Sequence, residues 1–313
     1  MKTVNKLKAS LLLSLFCGTV QAQQDPMYTH YFDNTLSINP AYAGSRDALT
    51  ITALHRSQWV DFKGAPMTQT LTLHSPIGNR HIGLGLAASN DKIGPTNNTS
   101  VSGQFAYIMQ LSKKSKLALG VSGGINAFQA DLSTLALDNQ NDPAFQNNIK
   151  NRVSPRFGAG AYYSRERFYA GVSVPNLIET NYSSLNLVDG TSLIGKSHRH
   201  YFFIVGAVFN LTDNLAFKPT GLLKATVGSP VQVDVTASFI IAKKLMLGAA
   251  YRTGDSFSAL VGFNLSQQFH IGYSYDWSYG LRTFNYNQGS HEIVLRYDFI
   301  FSGKKQIHSP RYF

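Results

Sequence analysis

Polar and apolar side chains alternate along many stretches of the chain. Between residues 231 and 241 the odd-numbered positions are apolar, and most of the intervening positions are polar. Successive side chains of a β-strand point to opposite faces, so this pattern predicts a strand with one apolar and one polar face. Residues 269–277 and 292–301 repeat it. Alternation over about ten residues is the length that a tilted strand needs to cross a bilayer.

About fourteen such segments follow one another along the chain. Tight turns alternate with longer connections, of which the largest span residues 131–151, 176–197 and 278–289. Short turns at one end and long loops at the other are typical of bacterial outer-membrane barrels. The sequence therefore predicts an all-β transmembrane antiparallel barrel of about 14 strands over residues 49–301, with both termini in the periplasm. The predicted strands begin near Leu49, Pro66, Arg80, Thr99, Lys116, Arg152, Arg167, His198, Asn214, Pro230, Lys244, Ser256, Gln268 and Ser290.

Two features fit this scheme less well. Pro219 lies inside a predicted strand, where it cannot donate a hydrogen bond to the ladder, so we expect a bulge or a local kink there. The connections at 227–229 and 254–255 are also short, although the alternation assigns them to the end with the long loops.

The first 22 residues have the pattern of a signal peptide. Three lysines precede an apolar stretch over residues 9–20, and the small residue Ala22 ends a sequence suitable for cleavage. The stretch is too short to span a bilayer as a helix. Bulky Phe16 before Cys17 argues against a lipoprotein site. Cleavage removes the only cysteine, so neither disulfides nor thiol chemistry is expected in the mature chain.

Residues 23–48 precede the first predicted strand and show no clear alternation. They are rich in aromatic side chains and contain the triplet Asn39-Pro40-Ala41, which is similar to one in the hatch of long-chain fatty-acid channels. A barrel of this size leaves a lumen that part of the chain itself often closes. We therefore expect residues 23–48 to form an N-terminal plug or hatch, the alternative being a flexible periplasmic leader.

Composition supports the barrel and argues against nucleic-acid binding. Charged residues are only 14% of the chain and aromatic residues 12%, as a surface facing lipid requires. Cleavage leaves 25 Lys and Arg against 17 Asp and Glu, a formal charge of +8. These basic residues form no stripe, so nucleic acid is not an expected partner.

Candidate enzyme, cofactor and metal motifs are incomplete. The glycine pairs at 83–85 and 158–160 lack the third glycine and the following helix of a phosphate-binding loop. His198 and His200 share one face of a predicted strand but have no ligand-type neighbour in the sequence. Ser290, His291 and Glu292 are adjacent, so serine and histidine would point to opposite faces. We expect no catalytic activity, no cofactor and no metal.

Several longer sequence motifs are spread over the whole mature length. They are QQDPMYTHYFDNTLSINPAYAGS (23–45), RSQWVDFKGAPMTQTLTLHSP (56–76), DKIGP (91–95), FYAGVSVPNL (168–177), RHYFF (199–203), KPTGLLK (218–224), GAAYRTGDSFSALVG (248–262), GSHEI (289–293) and SPRYF (309–313). These motifs resemble those of one family, the PorP/SprF membrane proteins of the type IX secretion system of Bacteroidetes.

The resemblance implies an outer-membrane component that binds a secreted or surface-exposed protein through an adhesin-type C-terminal sorting domain. It would support export or surface anchoring of that protein, including in gliding motility, and contact type IX components in the periplasm. It implies no catalytic residues. The alternative function is an outer-membrane channel for hydrophobic or small solutes, similar to fatty-acid channels.

The resemblance also marks candidate partner-binding or structural positions. We expect Arg56 and Gln58 to face the lumen and Trp59 to lie at the lipid interface. The alternative is that residues 56–66 only form a rigid turn. The tail, residues 302–313, would dock a periplasmic partner or fold back under the barrel. The candidate positions are Asn39, Pro40, Arg56, Gln58, Trp59, Phe62, Gly64, Pro66, Arg311 and Phe313.

Overall fold

Fourteen antiparallel strands form the structure, a computed structural model that describes residues 26–78, 80–135, 148–180, 197–279 and 287–300. The predicted signal peptide and the predicted tail, with Arg311 and Phe313, lie outside the described residues. The strands are β1 (Leu49–Ser57), β2 (Met67–Ile77), β3 (Ile82–Ile93), β4 (Thr96–Ser112), β5 (Ser115–Ala130), β6 (Ile149–Arg165), β7 (Phe168–Val174), β8 (His200–Ala207, continued by Phe209–Asn210), β9 (Leu215–Thr226), β10 (Gln232–Ile241), β11 (Leu245–Arg252), β12 (Ser256–Asn264), β13 (Phe269–Ser278) and β14 (Ser290–Phe299).

The sheet closes on itself. Each strand pairs with its neighbours in sequence, and β1 pairs with β14, with Leu49 opposite Phe299 and Ser57 opposite His291. Closure leaves no exposed sheet edge along this seam. The predicted barrel of about 14 strands is confirmed, and every strand begins within three residues of its predicted start.

The two faces of the strands differ in polarity, as the alternation predicts. Outward positions carry large apolar side chains, for example Leu247, Val261 and Ile271, which are 37–44% exposed. Inward positions are buried and polar, for example Thr236 and Ser274. An apolar outer band around a polar interior is the arrangement of an outer-membrane barrel. No helix among the described residues is long and apolar enough to cross a membrane.

The connections divide the barrel into two ends. At one end, the turn end, the connections after β2, β4, β6, β8, β10 and β12 contain two to four residues. At the other, the loop end, they include residues 58–66, 131–148, 175–199 and 279–289. Short turns face the periplasm in bacterial outer-membrane barrels, and long loops face the cell exterior.

Pro219 does not produce the register shift of a bulge. Pro219 lies opposite Ala237 of β10, and the register is constant on both sides of it. Pairing between β9 and β8 stops at Gly206 and resumes at Phe209, which leaves a gap opposite the proline. Because proline has no N–H to donate, the ladder loses these bonds without changing register.

Residues 26–48, here called the inner segment, precede β1 and are almost entirely buried. They include two short 3-10 helices, Thr35–Ser37 and Pro40–Tyr42. The segment begins at the loop end, where the Tyr28 carbonyl accepts a hydrogen bond from Arg252, and then runs to the turn end. The described chain therefore starts at the loop end. The even number of strands had predicted a start at the periplasmic end.

Candidate functional site

A buried cluster of charges holds the start of the inner segment against the seam of the barrel. Arg56 of β1 lies 2.6 Å from the Asp276 carboxylate of β13 and 3.0 Å from the Glu292 carboxylate of β14. The Thr29 hydroxyl donates to Asp276 at 2.8 Å, and the Thr29 N–H donates to Glu292 at 2.9 Å. The His30 N–H donates to Glu292 at 2.6 Å, and its ring Nδ1 lies 3.0 Å from the same carboxylate.

These contacts pair most of the charged groups that would otherwise be costly to bury, although Arg56 Nε and His30 Nε2 have no hydrogen-bond partner among the described residues. All the side chains of the cluster are at most 2% exposed. A buried ion pair contributes to stability only when its remaining donors and acceptors are also paired. Burial alone would lower the pKa of His30, but the hydrogen bond and the charge of Glu292 outweigh it and raise that pKa above its ordinary value.

A second arginine holds the same stretch from another side. Arg252 of β11 pairs with Asp234 of β10 at 2.9 Å and with Asp255 at 3.2 Å. Its second terminal nitrogen donates to the Tyr28 carbonyl at 3.1 Å. On the opposite wall, the Thr70 hydroxyl of β2 donates to the Tyr28 hydroxyl at 3.2 Å.

The middle of the inner segment is fitted to the walls of the lumen. The Tyr31 hydroxyl contacts Thr220 of β9 at 3.0 Å and Thr236 of β10 at 3.3 Å. Across the lumen, the Thr72 hydroxyl of β2 donates to the Asn34 side-chain oxygen at 2.7 Å. The segment therefore contacts opposite walls of the ring within four residues.

Asn39 and Pro40 lie where the inner segment approaches the backbone of β5 and β6 most closely. The Asn39 side-chain oxygen accepts from the Ala41 N–H at 2.9 Å, and its NH₂ donates to the Ala161 carbonyl at 3.1 Å. A Cβ at Gly120 would clash with the backbone of Ala41, and one at Gly160 would clash with the Asn39 side chain. Glycine at these inward positions makes room for the segment.

At the turn end, further ion pairs hold the inner segment at Asp33 and Arg46. Arg46 pairs with Asp298 of β14 at 2.8 Å, and Asp33 pairs with Arg296 at 2.8 Å. Burial would raise the pKa of Asp33, but nearby His270 and Arg296 hold it well below its usual range.

The candidate positions between Arg56 and Pro66 separate into a buried part and an exposed part. Arg56 and Gln58 are buried, as expected for side chains facing the lumen. The expectation that Trp59 continues the alternation is wrong, because β1 ends at Ser57. Trp59 has a positive φ of 46°, and its ring packs edge-on against Phe62, 6.4 Å between centroids.

Phe62, Gly64 and Pro66 lie in the loop of residues 58–66, which is braced on two sides. The Val60 N–H donates to the Gly289 carbonyl at 2.9 Å, and the Gly94 N–H donates to the Gly64 carbonyl at 2.9 Å. The Gln58 N–H donates to the Pro66 carbonyl at 2.9 Å and closes the loop.

The same loop contains two non-glycine residues with a positive φ, as does the turn between β10 and β11. Trp59 and Asp61 have positive φ angles although neither is glycine, and Gly64 has a φ of 79°. Strained backbone of this kind persists only where the surroundings hold it, and it often marks functional sites. Phe62 is 41% exposed at the top of this braced loop.

A small recess of about 70 Å³ lies between the inner segment and the wall of β3 to β6, and no residue of the loop 58–66 lines it. Its polar lining consists mostly of uncharged hydroxyl and amide groups, together with Asp91 and Arg156. Such groups can accept and donate hydrogen bonds to a peptide backbone without a strong preference for charge. Its uncharged polar lining includes Tyr28, Thr70, Ser89, Asn98, Ser100, Ser102, Gln104 and Ser122.

The residues considered for chemistry are spread apart or engaged elsewhere. The His291 ring contacts the Tyr273 hydroxyl at 2.7 Å on the outer face, whereas Ser290 and Glu292 are buried. His198 has a carboxylate neighbour after all, Glu179 at 4.0 Å. Among the described residues, no three or more His, Cys, Asp or Glu side chains are grouped to hold a metal.

The cluster at the seam includes residues that the sequence analysis did not single out. Asp276, Arg252 and Asp234 received no role there, and Glu292 was considered only beside Ser290 and His291. The sequence did contain an indication of such a role. Arg56, Arg252 and Glu292 all lie within the sequence motifs that resemble the family and at inward positions of their strands. These motifs therefore include residues that hold the inner segment in place.

Comparison with known proteins identifies the family. The family model described as type IX secretion system membrane protein PorP/SprF matches residues 20–297. The chain belongs to this family. The PorP/SprF match and the closed barrel together place the protein in the outer membrane, as a membrane component of the type IX secretion system. No curated protein matches the chain.

Solved structures that are similar to the chain are outer-membrane barrels of low sequence identity. The Acinetobacter baumannii outer membrane protein Omp33 has 10% identity and a TM-score of 0.46, covering 81% of this chain and 99% of its own. The CymD monoaromatic hydrocarbon channel has 10% identity and a TM-score of 0.47, covering 86% and 93%. A Pseudomonas aeruginosa FadL homologue has 13% identity and a TM-score of 0.43, covering 81% and 89%.

Proposed function

We propose that the loop end binds a secreted or surface-exposed protein through an adhesin-type C-terminal sorting domain, and that the barrel supports its export or surface anchoring. In this proposal the protein is not an enzyme, and the inner segment acts as a plug. The observation that carries the proposal is the braced loop 58–66, which presents Phe62 at the loop end above a lumen occupied by the inner segment.

Rigidity favours protein binding at this surface. A loop that is already ordered loses little conformational entropy when a partner binds, so more of the contact energy contributes to affinity. The exposed Phe62 and the half-buried Trp59 beside it are aromatic, a residue class that is enriched at protein interfaces.

The occupied lumen argues against the alternative, a channel for hydrophobic or small solutes. Ion pairs and hydrogen bonds join the inner segment to strands on all sides of the ring, from β2 to β14. A diffusing solute would have to displace buried ion pairs. Single-channel conductance of the purified protein separates the two functions, because a plugged barrel conducts little and a solute channel conducts steadily.

The proposal is tested with a fluorescent protein fused to the C-terminal sorting domain of a type IX substrate. Detergent-solubilised protein is titrated with this fusion, and the amount of fusion on the cell surface is measured in parallel. The test variant is Phe62→Asp, which places a charge at the exposed tip of the loop. The matched control is Leu211→Asp, which changes a more exposed apolar residue in the turn-end turn between β8 and β9.

We expect Phe62→Asp to weaken binding about ten-fold and to reduce the surface signal, as loss of an aromatic interface anchor does. Leu211→Asp should change neither. Equal effects of the two variants, or full binding by Phe62→Asp, would contradict a partner site at the loop end. Heat-dependent migration on gels shows whether each variant forms the barrel.

A further inference from the structure

The inner segment crosses the lumen obliquely and leaves a cavity at the turn end. Its second 3-10 helix, Pro40–Tyr42, packs against β4, β5 and β6. The opposite half of the turn end, between β9 and β14, is open and contains a cavity of about 610 Å³. A volume of this size is within the range of ligand-binding pockets, roughly 300–1,000 Å³.

The cavity carries an excess of positive charge. Five cationic side chains line it against two carboxylates, Asp33 and Asp298. Each carboxylate is already engaged by an arginine, at 2.8 Å in both pairs. The formal charge of the lining is therefore +3, without counting His270. The cationic residues are Arg46, Lys218, Lys243, Lys244 and Arg296.

The charges are arranged from the mouth inwards. Lys243 and Lys244 are exposed in the turn between β10 and β11. Lys218 lies deeper and is buried, with its ammonium 4.6 Å from the centre of the Phe32 ring. The buried Arg296 Nε has no hydrogen-bond partner among the described residues, whereas His270 Nε2 lies 3.8 Å from the Asp33 carboxylate. Donors placed from mouth to back favour an elongated ligand with several acceptors.

The remaining lining is mixed. Leu265, Phe269 and Met246 provide apolar contact, and Asn264 and Ser266 provide neutral hydrogen-bonding groups. An extended peptide combines carboxylates with apolar side chains and a polar backbone, whereas a free inorganic anion would leave the apolar wall uncovered. Among the described residues only short turns flank the mouth, at the end that faces the periplasm in bacterial outer-membrane barrels.

We propose that this turn-end cavity binds a short acidic peptide segment of a periplasmic polypeptide. The site is at the opposite end of the barrel from the proposed partner surface and does not depend on it. A protein with both sites contacts one polypeptide outside the cell and another in the periplasm.

The test measures fluorescence anisotropy of a fluorescein-labelled octaglutamate peptide with the full-length protein in detergent. Octaglutamine with the same label is the neutral probe, and unlabelled inorganic phosphate is the small-anion competitor. The test variant is the double substitution Lys243→Gln with Lys244→Gln. The matched control is Lys113→Gln with Lys114→Gln, a lysine pair exposed in another turn-end turn, between β4 and β5.

We expect octaglutamate to bind, octaglutamine not to bind, and the 243/244 variant to lose about ten-fold in affinity, as removal of two charges at a cavity rim does. The 113/114 variant should bind as the unchanged protein does. Equal losses of affinity in the two variants would show that the peptide responds to positive charge anywhere at the turn end, which would overturn the site. Equal binding of both peptides would overturn the acidic-peptide assignment. Displacement of octaglutamate by phosphate, at equal total concentrations of negative charge, would also overturn it. Both variants must retain heat-dependent gel migration for the comparison.

Discussion

Arg56 and Glu292 face each other across the seam that closes the barrel, joined by a 3.0 Å ion pair. The same two side chains bind Thr29 of the inner segment, which donates its N–H to Glu292 and accepts from Arg56 at 3.1 Å. One pair of residues therefore links ring closure to the position of the inner segment. Loss of the pair should affect both.

Glu292→Gln should lower the free energy of unfolding substantially. Breaking a buried ion pair costs roughly 3–5 kcal/mol, and we expect the lower end because Arg56 keeps Asp276. The control, Glu166→Gln, removes an exposed partner of Lys114 and should cost less than about 1 kcal/mol. Urea titration of tryptophan fluorescence in detergent measures both. Similar midpoints for the two variants would contradict a structural role for the seam cluster.

The strands could be predicted from the sequence because alternation is local. Each side chain of β10 or β13 reports its own environment, and a period of two suffices to assign the strand and its faces. The gap opposite Pro219 could not be predicted, because the pattern shows that a donor is missing but not how the neighbouring strand responds.

The site was harder to predict than the strands. Thr29 and Glu292 are 263 residues apart, and their meeting depends on closure of the whole ring. Residues 28–48 have no periodicity from which to derive their contacts. The sequence motifs marked Arg56 as a candidate, but its partner Asp276 lies outside them. The contact between the two follows only from the register of β12, β13 and β14.

Gly120→Ala should displace the inner segment from β5. Its Cβ would clash with the backbone of Ala41, which cannot move away as a flexible side chain could. We expect a loss of roughly 1–3 kcal/mol, as overpacking costs, together with increased single-channel conductance. Gly123→Ala is the control on the same strand, because its Cβ would meet only the Phe157 ring at 3.7 Å. Low conductance in both variants would show that Ala41 does not need this space.

Val261→Arg tests the lipid-facing surface. Val261 lies near the middle of β12, points outward and is 39% exposed. An arginine facing lipid near the bilayer centre costs roughly 2–4 kcal/mol, falling to about 0–1 kcal/mol near the interface. Leu265→Arg, in the turn that follows, should therefore be nearly neutral. Folding into lipid vesicles under urea measures both variants, and equal stabilities would place Val261 outside the membrane.

Asn39 offers a test of what its buried amide contributes. It accepts from the Ala41 N–H, as a helix cap does, and it also donates to the Ala161 and Val172 carbonyls of β6 and β7. Asn39→Asp keeps the acceptor for the cap but loses both donations and places a carboxylate next to two carbonyl oxygens.

If the amide mainly joins the inner segment to the barrel wall, Asn39→Asp should destabilise the protein at least as much as Asn39→Ala, by roughly 1–3 kcal/mol in each case. If capping were its main role, Asn39→Asp would retain nearly full stability and only Asn39→Ala would lose it. Urea titration of both variants at neutral pH distinguishes these outcomes. We expect both to unfold earlier than the unchanged protein, because the inner segment is held by the strands that it crosses more than by its own short helices.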